Sequence, residues 1–107
     1  MEETTIVKET TVRLAEDLIP SMLSGQKRVT IRKGIRDFAP EIEIAGYAAI
    51  VDSVEYFQLE AVPFEVFISD GFTSFTDVLV GMERFYPDIN PQTSVTVLRF
   101  HLKDNTQ

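Results

Sequence analysis

Lys27, Thr30 and Arg32 share one short stretch of the chain and offer an ammonium, a hydroxyl and a guanidinium. Amide hydrolysis needs a nucleophile, a base and a group that holds an oxyanion. Thr30 could supply the hydroxyl. Lys27, its charged form disfavoured by Arg28 and Arg32 nearby, could act as base towards it. Arg32 could hold the oxyanion or a phosphate. Around them the charge is one-sided. Residues 27–36 add Arg28, Lys33 and Arg36, so they carry five of the chain's 10 Lys and Arg and none of its 17 Asp and Glu. Like charges repel, and folding alone gives no reason to crowd them in an acidic protein of net charge −7. An anion-binding surface and a solvated basic loop neutralised by nearby carboxylates both fit that count.

The alternation of the stretch says how these groups are presented. Val29 and Ile31 are apolar; Arg28, Thr30 and Arg32 are polar. Strand side chains alternate between faces. Val29 and Ile31 then face a core, and Thr30 and Arg32 share the other face about 7 Å apart. Lys27 sits at the entrance of the strand, just after Gly25. Before it, Leu18, Ile19, Met22 and Leu23 fall at helical spacing, which predicts a short helix over about 17–24 that Gly25 ends. Residues 4–14 read as an extended first strand rich in Thr and Val.

Downstream, residues 37–40 contain Pro40 and read as a break. Residues 41–45 and 48–59 read as strands, with Gly46 and Tyr47 near a turn or bulge. Residues 64–68 suit either a strand or one helical turn, and Ser69-Asp70-Gly71 signals a turn. The clearest helix covers about 74–85. Ser74 caps it, Asp77 can complete a capping box, and Phe75, Val78, Leu79, Met82 and Phe85 or Tyr86 form its apolar stripe. Pro87 ends it. Residues 93–102 form a last strand, with Thr96, Leu98, Phe100 and Leu102 on one face and Val95, Val97, Arg99 and His101 on the other. Many strands and few helices predict an α+β fold whose curved sheet closes partly into a small barrel.

Length and composition narrow the classes. A chain of 107 residues is expected to be one domain. It has no cysteine, so disulfides and thiolate metal sites are excluded, and a reducing compartment is expected. The acidic start, Met1-Glu2-Glu3, is unlike a signal peptide, and no apolar run approaches the ~20 residues of a membrane span. A cytoplasmic soluble protein is expected, with no membrane partner. The acidic balance argues against bulk duplex DNA but leaves room for a local basic mouth. There is one histidine, His101, too few for a His-rich metal site, and its strand position suits a packed or surface side chain. No phosphate-cradling glycine loop is present. No metal and no cofactor are expected.

The pattern Gly25-x-Lys27-x-x-Thr30-x-Arg32 after a short helix resembles the hallmark of the ASCH family, a branch of the PUA-like superfold. The likeness continues through Asp70-Gly71-Phe72-Thr73, the amphipathic helix, Phe85-Tyr86-Pro87 and the last strand, so it covers about residues 15–102. It implies a PUA-like curved mixed sheet with two to three short helices. Small bacterial members of this size include N(4)-acetylcytidine amidohydrolases, which remove an acetyl group from the exocyclic amine of the nucleoside. The resemblance implies a catalytic lysine, threonine and carboxylate, matching Lys27, Thr30 and Asp70. Those enzymes carry glutamate where this chain has Asp70, one methylene shorter. Asp70 could orient Lys27 or bind the cytosine amino edge. Arg28, Arg32, Lys33 and Arg36 would then contact a nucleoside, a nucleotide or a short RNA. A module that binds such ligands through the same cleft without chemistry is the alternative.

Overall fold

Five alternating stretches pair into one mixed sheet in the computed structural model, which describes residues 8–25 and 28–103. They are β1 (Lys8–Val12), β2 (Val29–Lys33), β3 (Asp37–Ile44), β4 (Tyr47–Gln58) and β5 (Ser94–Leu102). The order across the sheet is β1-β3-β4-β5-β2. β1 runs parallel to β3, and the other pairs are antiparallel. The two edge strands therefore come from the first third of the chain. The sheet curls into a half-barrel, and side chains of β2 and the residues after it reach β1 and its exit. This is the curved α+β architecture that the alternation predicts. The part of the expected first strand before Lys8, and Lys27, lie outside the described residues.

β5 is buried on both faces from Val95 to Leu98, as a central strand must be. One face carries Val95 and Val97, joined by Val29 and Ile31 of β2 and covered by α2 (Phe64–Ser69) and α3 (Phe75–Glu83). The other carries Leu98 and Phe100, packed with Val12, Ile42, Ile44 and Met22 of α1 (Ile19–Leu23). Burying one side chain such as Val78 or Met82 of α3 stabilises by about 1.5–3 kcal/mol, which anchors that helix. Ser74 caps α3 by accepting from the Asp77 N–H at 3.0 Å. Asp77 in turn accepts from the Thr73 N–H, one residue earlier than the standard box.

Four local readings are corrected or decided. Residues 37–40 belong to β3. Pro40 is tolerated because β1 pairs with Asp37, Phe38, Glu43 and Ile44, while β4 pairing starts at Glu41. No ladder needs a proton from Pro40, so it sits in a bulge and not in a break. Residues 64–69 are helical, because Val66 and Phe67 both face the core under α3. α3 stops at Glu83, which leaves Phe85 exposed and Tyr86 packed against the core. The β3–β4 turn is Ala45-Gly46, with φ of 52° and 89°, the two left-handed positions of a tight hairpin.

Candidate functional site

Strand β2 is the element that positions the motif. A 3-10 turn at Glu16–Leu18 leads into α1, where Pro20 occupies the first turn and needs no helical donor. Gly25, at φ 86°, closes the helix with its N–H on the Met22 carbonyl at 3.1 Å. The chain then enters β2. Val29 and Ile31 turn towards the helices, and Thr30 and Arg32 turn the opposite way, as the alternation requires.

Thr30 lies opposite Leu98 and Arg32 opposite Thr96. This makes Thr30 and Thr96 diagonal neighbours on one face. Both are buried, at 5% and 0% exposure. Their hydroxyls differ. Thr96 donates to the Gly34 carbonyl at 2.6 Å and accepts the Arg36 N–H at 2.9 Å. Thr30 makes no side-chain hydrogen bond among the described residues. Arg32 crosses the open seam of the half-barrel and donates to the Arg13 carbonyl beyond β1. Its Nε is buried with no partner among the described residues. Burial holds this guanidinium below the ordinary arginine value. Tyr86 and Glu9 oppose the shift, and Arg36 adds to it.

The other cations of the basic stretch part company. Lys33 bonds Asp88 at 2.7 Å and holds that carboxylate below its ordinary range, chiefly through the hydrogen bond. Arg36 donates from Nε to the Lys33 carbonyl at 3.1 Å and pairs with Glu9 of β1 at 3.4 Å. Arg28 is exposed. Its Nε donates to the Gly25 carbonyl at 3.1 Å, and it pairs with no carboxylate among the described residues. The neutralised loop and the anion-binding surface thus each describe part of the stretch.

Arg28 borders a cavity of about 90 Å³ together with Ser24, Gly25, Phe100 and His101. Sequence reasoning missed this grouping. Its one signal was that Arg28 and His101 each abut a strand end, and only the register joins them: the Phe100 N–H donates to the Arg28 carbonyl at 3.0 Å. His101 Nδ1 lies 2.8 Å from Asp52 Oδ1.

Asp70 ends α2, half-buried, with its N–H on the Val66 and Phe67 carbonyls. α2 packs on Val29 and Ile31, the strand that carries Thr30 on its reverse face. Two residues on, Phe72 lies against Gly81 of α3. Among the described residues no three His, Asp or Glu gather as metal ligands. No helix among them is long and apolar enough to cross a membrane.

No protein-family profile matches the chain, and no curated protein matches it in sequence. Solved structures do match in shape. The hypothetical protein PH0355 superposes with a TM-score of 0.72 at 14% identity, over 88% of this chain and 98% of its own. A point mutant of ZmASCH from Zymomonas mobilis superposes with a TM-score of 0.64 at 13% identity, over 94% of this chain and 82% of its own. The chain has the fold of the ASCH proteins. Protein PF0455 from Pyrococcus furiosus gives the same TM-score at 14% identity, over 91% and 99%. At these identities the likeness is one of fold, and the ASCH-type, PUA-like half-barrel matches the expectation drawn from the motif.

Proposed function

We propose that this ASCH-type domain binds a cytidine-type nucleoside at the mouth formed by the Gly25 turn and β2, and hydrolyses an acetyl amide on its exocyclic nitrogen. The observation that carries the reading is Thr30. Thr30 is 5% exposed and its hydroxyl bonds to nothing among the described residues, while its neighbour Thr96 has every role filled. A hydroxyl held ready for a group outside the chain accounts for the difference. In this reading Thr30 Oγ attacks the acetyl carbonyl while Lys27 takes its proton. The C–N bond then breaks, the proton passes to the departing amine, and water cleaves the acetyl ester to acetate and restores Thr30. Asp70 orients the lysine or the cytosine amino edge.

The test is incubation of the pure chain with N(4)-acetylcytidine while released cytidine is measured. Lys27→Ala and Thr30→Ala should each abolish turnover with the fold intact. Asp70→Glu should change the rate by about ten- to a hundredfold, the scale of moving one catalytic group by roughly 1 Å. A rise identifies a shortened catalytic carboxylate, and a fall identifies a site retuned around aspartate. No cytidine from either the native chain or Asp70→Glu refutes the hydrolase. Arg28, which pairs with no carboxylate among the described residues, favours a second reading, a module that binds nucleotides or short RNA without chemistry. Affinity that falls with salt and survives Thr30→Ala would select it.

A further inference from the structure

The connection from β1 to β2, residues 13–25, covers the face on which Thr30 lies. Met22 of α1 packs with Leu98 and Phe100, and Thr30 stands opposite Leu98. What Thr30 meets therefore depends on where this connection sits. No backbone hydrogen bond between described residues joins it to β2. β2 ladders with β5 alone, so its outer edge offers nothing of that kind.

Two guanidiniums, two residues to either side of Thr30, take the place of a ladder. At the start of the connection, Arg32 donates to the Arg13 carbonyl. At its end, Arg28 donates from Nε to the Gly25 carbonyl at 3.1 Å, and a Cβ placed on Gly25 would lie 3.5 Å from Arg28 Nη2. The two grips differ in reach. Arg28 bonds three residues back, within its own turn. Arg32 spans 19 residues, so it is the one that ties the start of the connection to the strand.

Arg32 is also poorly placed to serve a ligand. Its Nε is buried without a partner among the described residues, and burial disfavours its charge. An arginine that holds a phosphate or an oxyanion presents its donors to the open mouth. This one turns away from it, towards the seam, where Tyr86, Glu9 and Arg36 surround its charge.

We propose that Arg32 is a positioning residue, which by holding the Arg13 carbonyl fixes the 13–25 connection over Thr30 and sets the Gly25 turn for the reaction there. The proposal rests on the hydrolase reading, and it gives Arg32 a task inside the fold where the motif resemblance puts it on the ligand.

The test compares the native full chain with Arg32→Gln and Arg32→Lys, thermal unfolding confirming that both variants fold. Amide hydrogen exchange is read in the free protein at Leu18, Ser24 and Gly25, whose N–H groups bond within the connection. Arg32→Gln should speed exchange there by about tenfold or more, the scale of losing one hydrogen bond from a charged group, and leave Val66 of α2 unchanged. Turnover of N(4)-acetylcytidine should fall by about ten- to a hundredfold in kcat with KM little changed. Arg32→Lys keeps a cationic donor and should recover part of both. Unchanged exchange with lost turnover overturns the proposal, since Arg32 then acts on the ligand. Faster exchange with full turnover overturns it, since the grip then serves the fold alone, and a rise in turnover overturns it by showing that the grip restricts access. If the native chain releases no cytidine, the hydrolase reading fails by itself, and cytidine binding replaces turnover: faster exchange with at least about tenfold weaker binding in Arg32→Gln keeps the positioning role, and the absence of either overturns it.

Discussion

Gly81 tests how the Asp70 turn is held in place. A methyl group there would put Cβ 2.6 Å from Phe72 Cε1 and 3.3 Å from Cζ. Carbon atoms settle at about 3.5–4.0 Å, so the ring would have to retreat by roughly 1 Å. It is poorly placed to do so. Phe72 packs on the cluster of Val66, Phe67 and Val78, and its N–H is bonded to the Phe67 carbonyl at 2.9 Å. Two effects oppose each other in Gly81→Ala. Helix propensity gains about 1 kcal/mol, and overpacking costs about 1–3 kcal/mol. The expected net is a loss of about 1 kcal/mol, read as a fall in Tm of about 4–6 °C for a chain of this size. Phe72→Leu in the Gly81→Ala background should cost less than Phe72→Leu alone, a coupling of at least about 0.5 kcal/mol in a double-mutant cycle. Because Asp70 precedes Phe72 by two residues, turnover should fall in Gly81→Ala even well below its Tm. A rise in Tm would refute the reasoning, since it would mean that the ring yields freely and helix propensity alone decides.

Three further outcomes follow from single contacts. Ser74→Ala removes the oxygen that accepts the Asp77 N–H and should cost about 0.5–2 kcal/mol in urea unfolding, and an unchanged midpoint would refute the cap. Lys33→Ala and Arg36→Ala should weaken nucleotide binding less than Arg28→Ala does, because both are already engaged; a titration showing equal losses for all three would contradict that ordering. Asp88 should titrate, by carboxyl NMR, below the ordinary aspartate value. Because its folded pKa is depressed, the tie to Lys33 is complete above the ordinary aspartate range and is lost as pH falls through the lowered value, so a midpoint at or above the ordinary value would disprove the tie.

The fold was legible where one local rule acted alone. Val29 and Ile31 alternate with Thr30 and Arg32, and the structure buries the first pair under the helices. Val78 and Met82 of α3 share an apolar stripe and are core. Legibility failed where a neighbouring strand decided the outcome. Pro40 looks like a break because proline cannot join a ladder. It lies inside β3 because the bulge against β1 frees that position from any ladder, and no local pattern announces a bulge in a partner's register. Phe85 and Tyr86 were equal candidates for the stripe, and the end of the helix at Glu83 chose between them.

The candidate site divides the same way. Thr30 and Arg32 were placed on one face by alternation, and they are there. What each does on that face depends on residues far away in sequence. Arg32 reaches back to Arg13, while Lys33 and Arg36 turn to Asp88 and Glu9. A count of charge treats these cations as one field aimed at a ligand. The contacts show that three of the four described ones help hold the chain to itself, across the seam between the two edge strands or onto the loop after α3. Side chains can tie an edge strand to its opposite number where no ladder joins them, and Arg32 of β2 and Arg36 just after it do so here. A basic edge strand in an acidic protein thus follows partly from the architecture. Among the described cations of the stretch, only Arg28 bonds to nothing beyond its own turn, and it stands two residues before the buried threonine whose hydroxyl the described fold does not use.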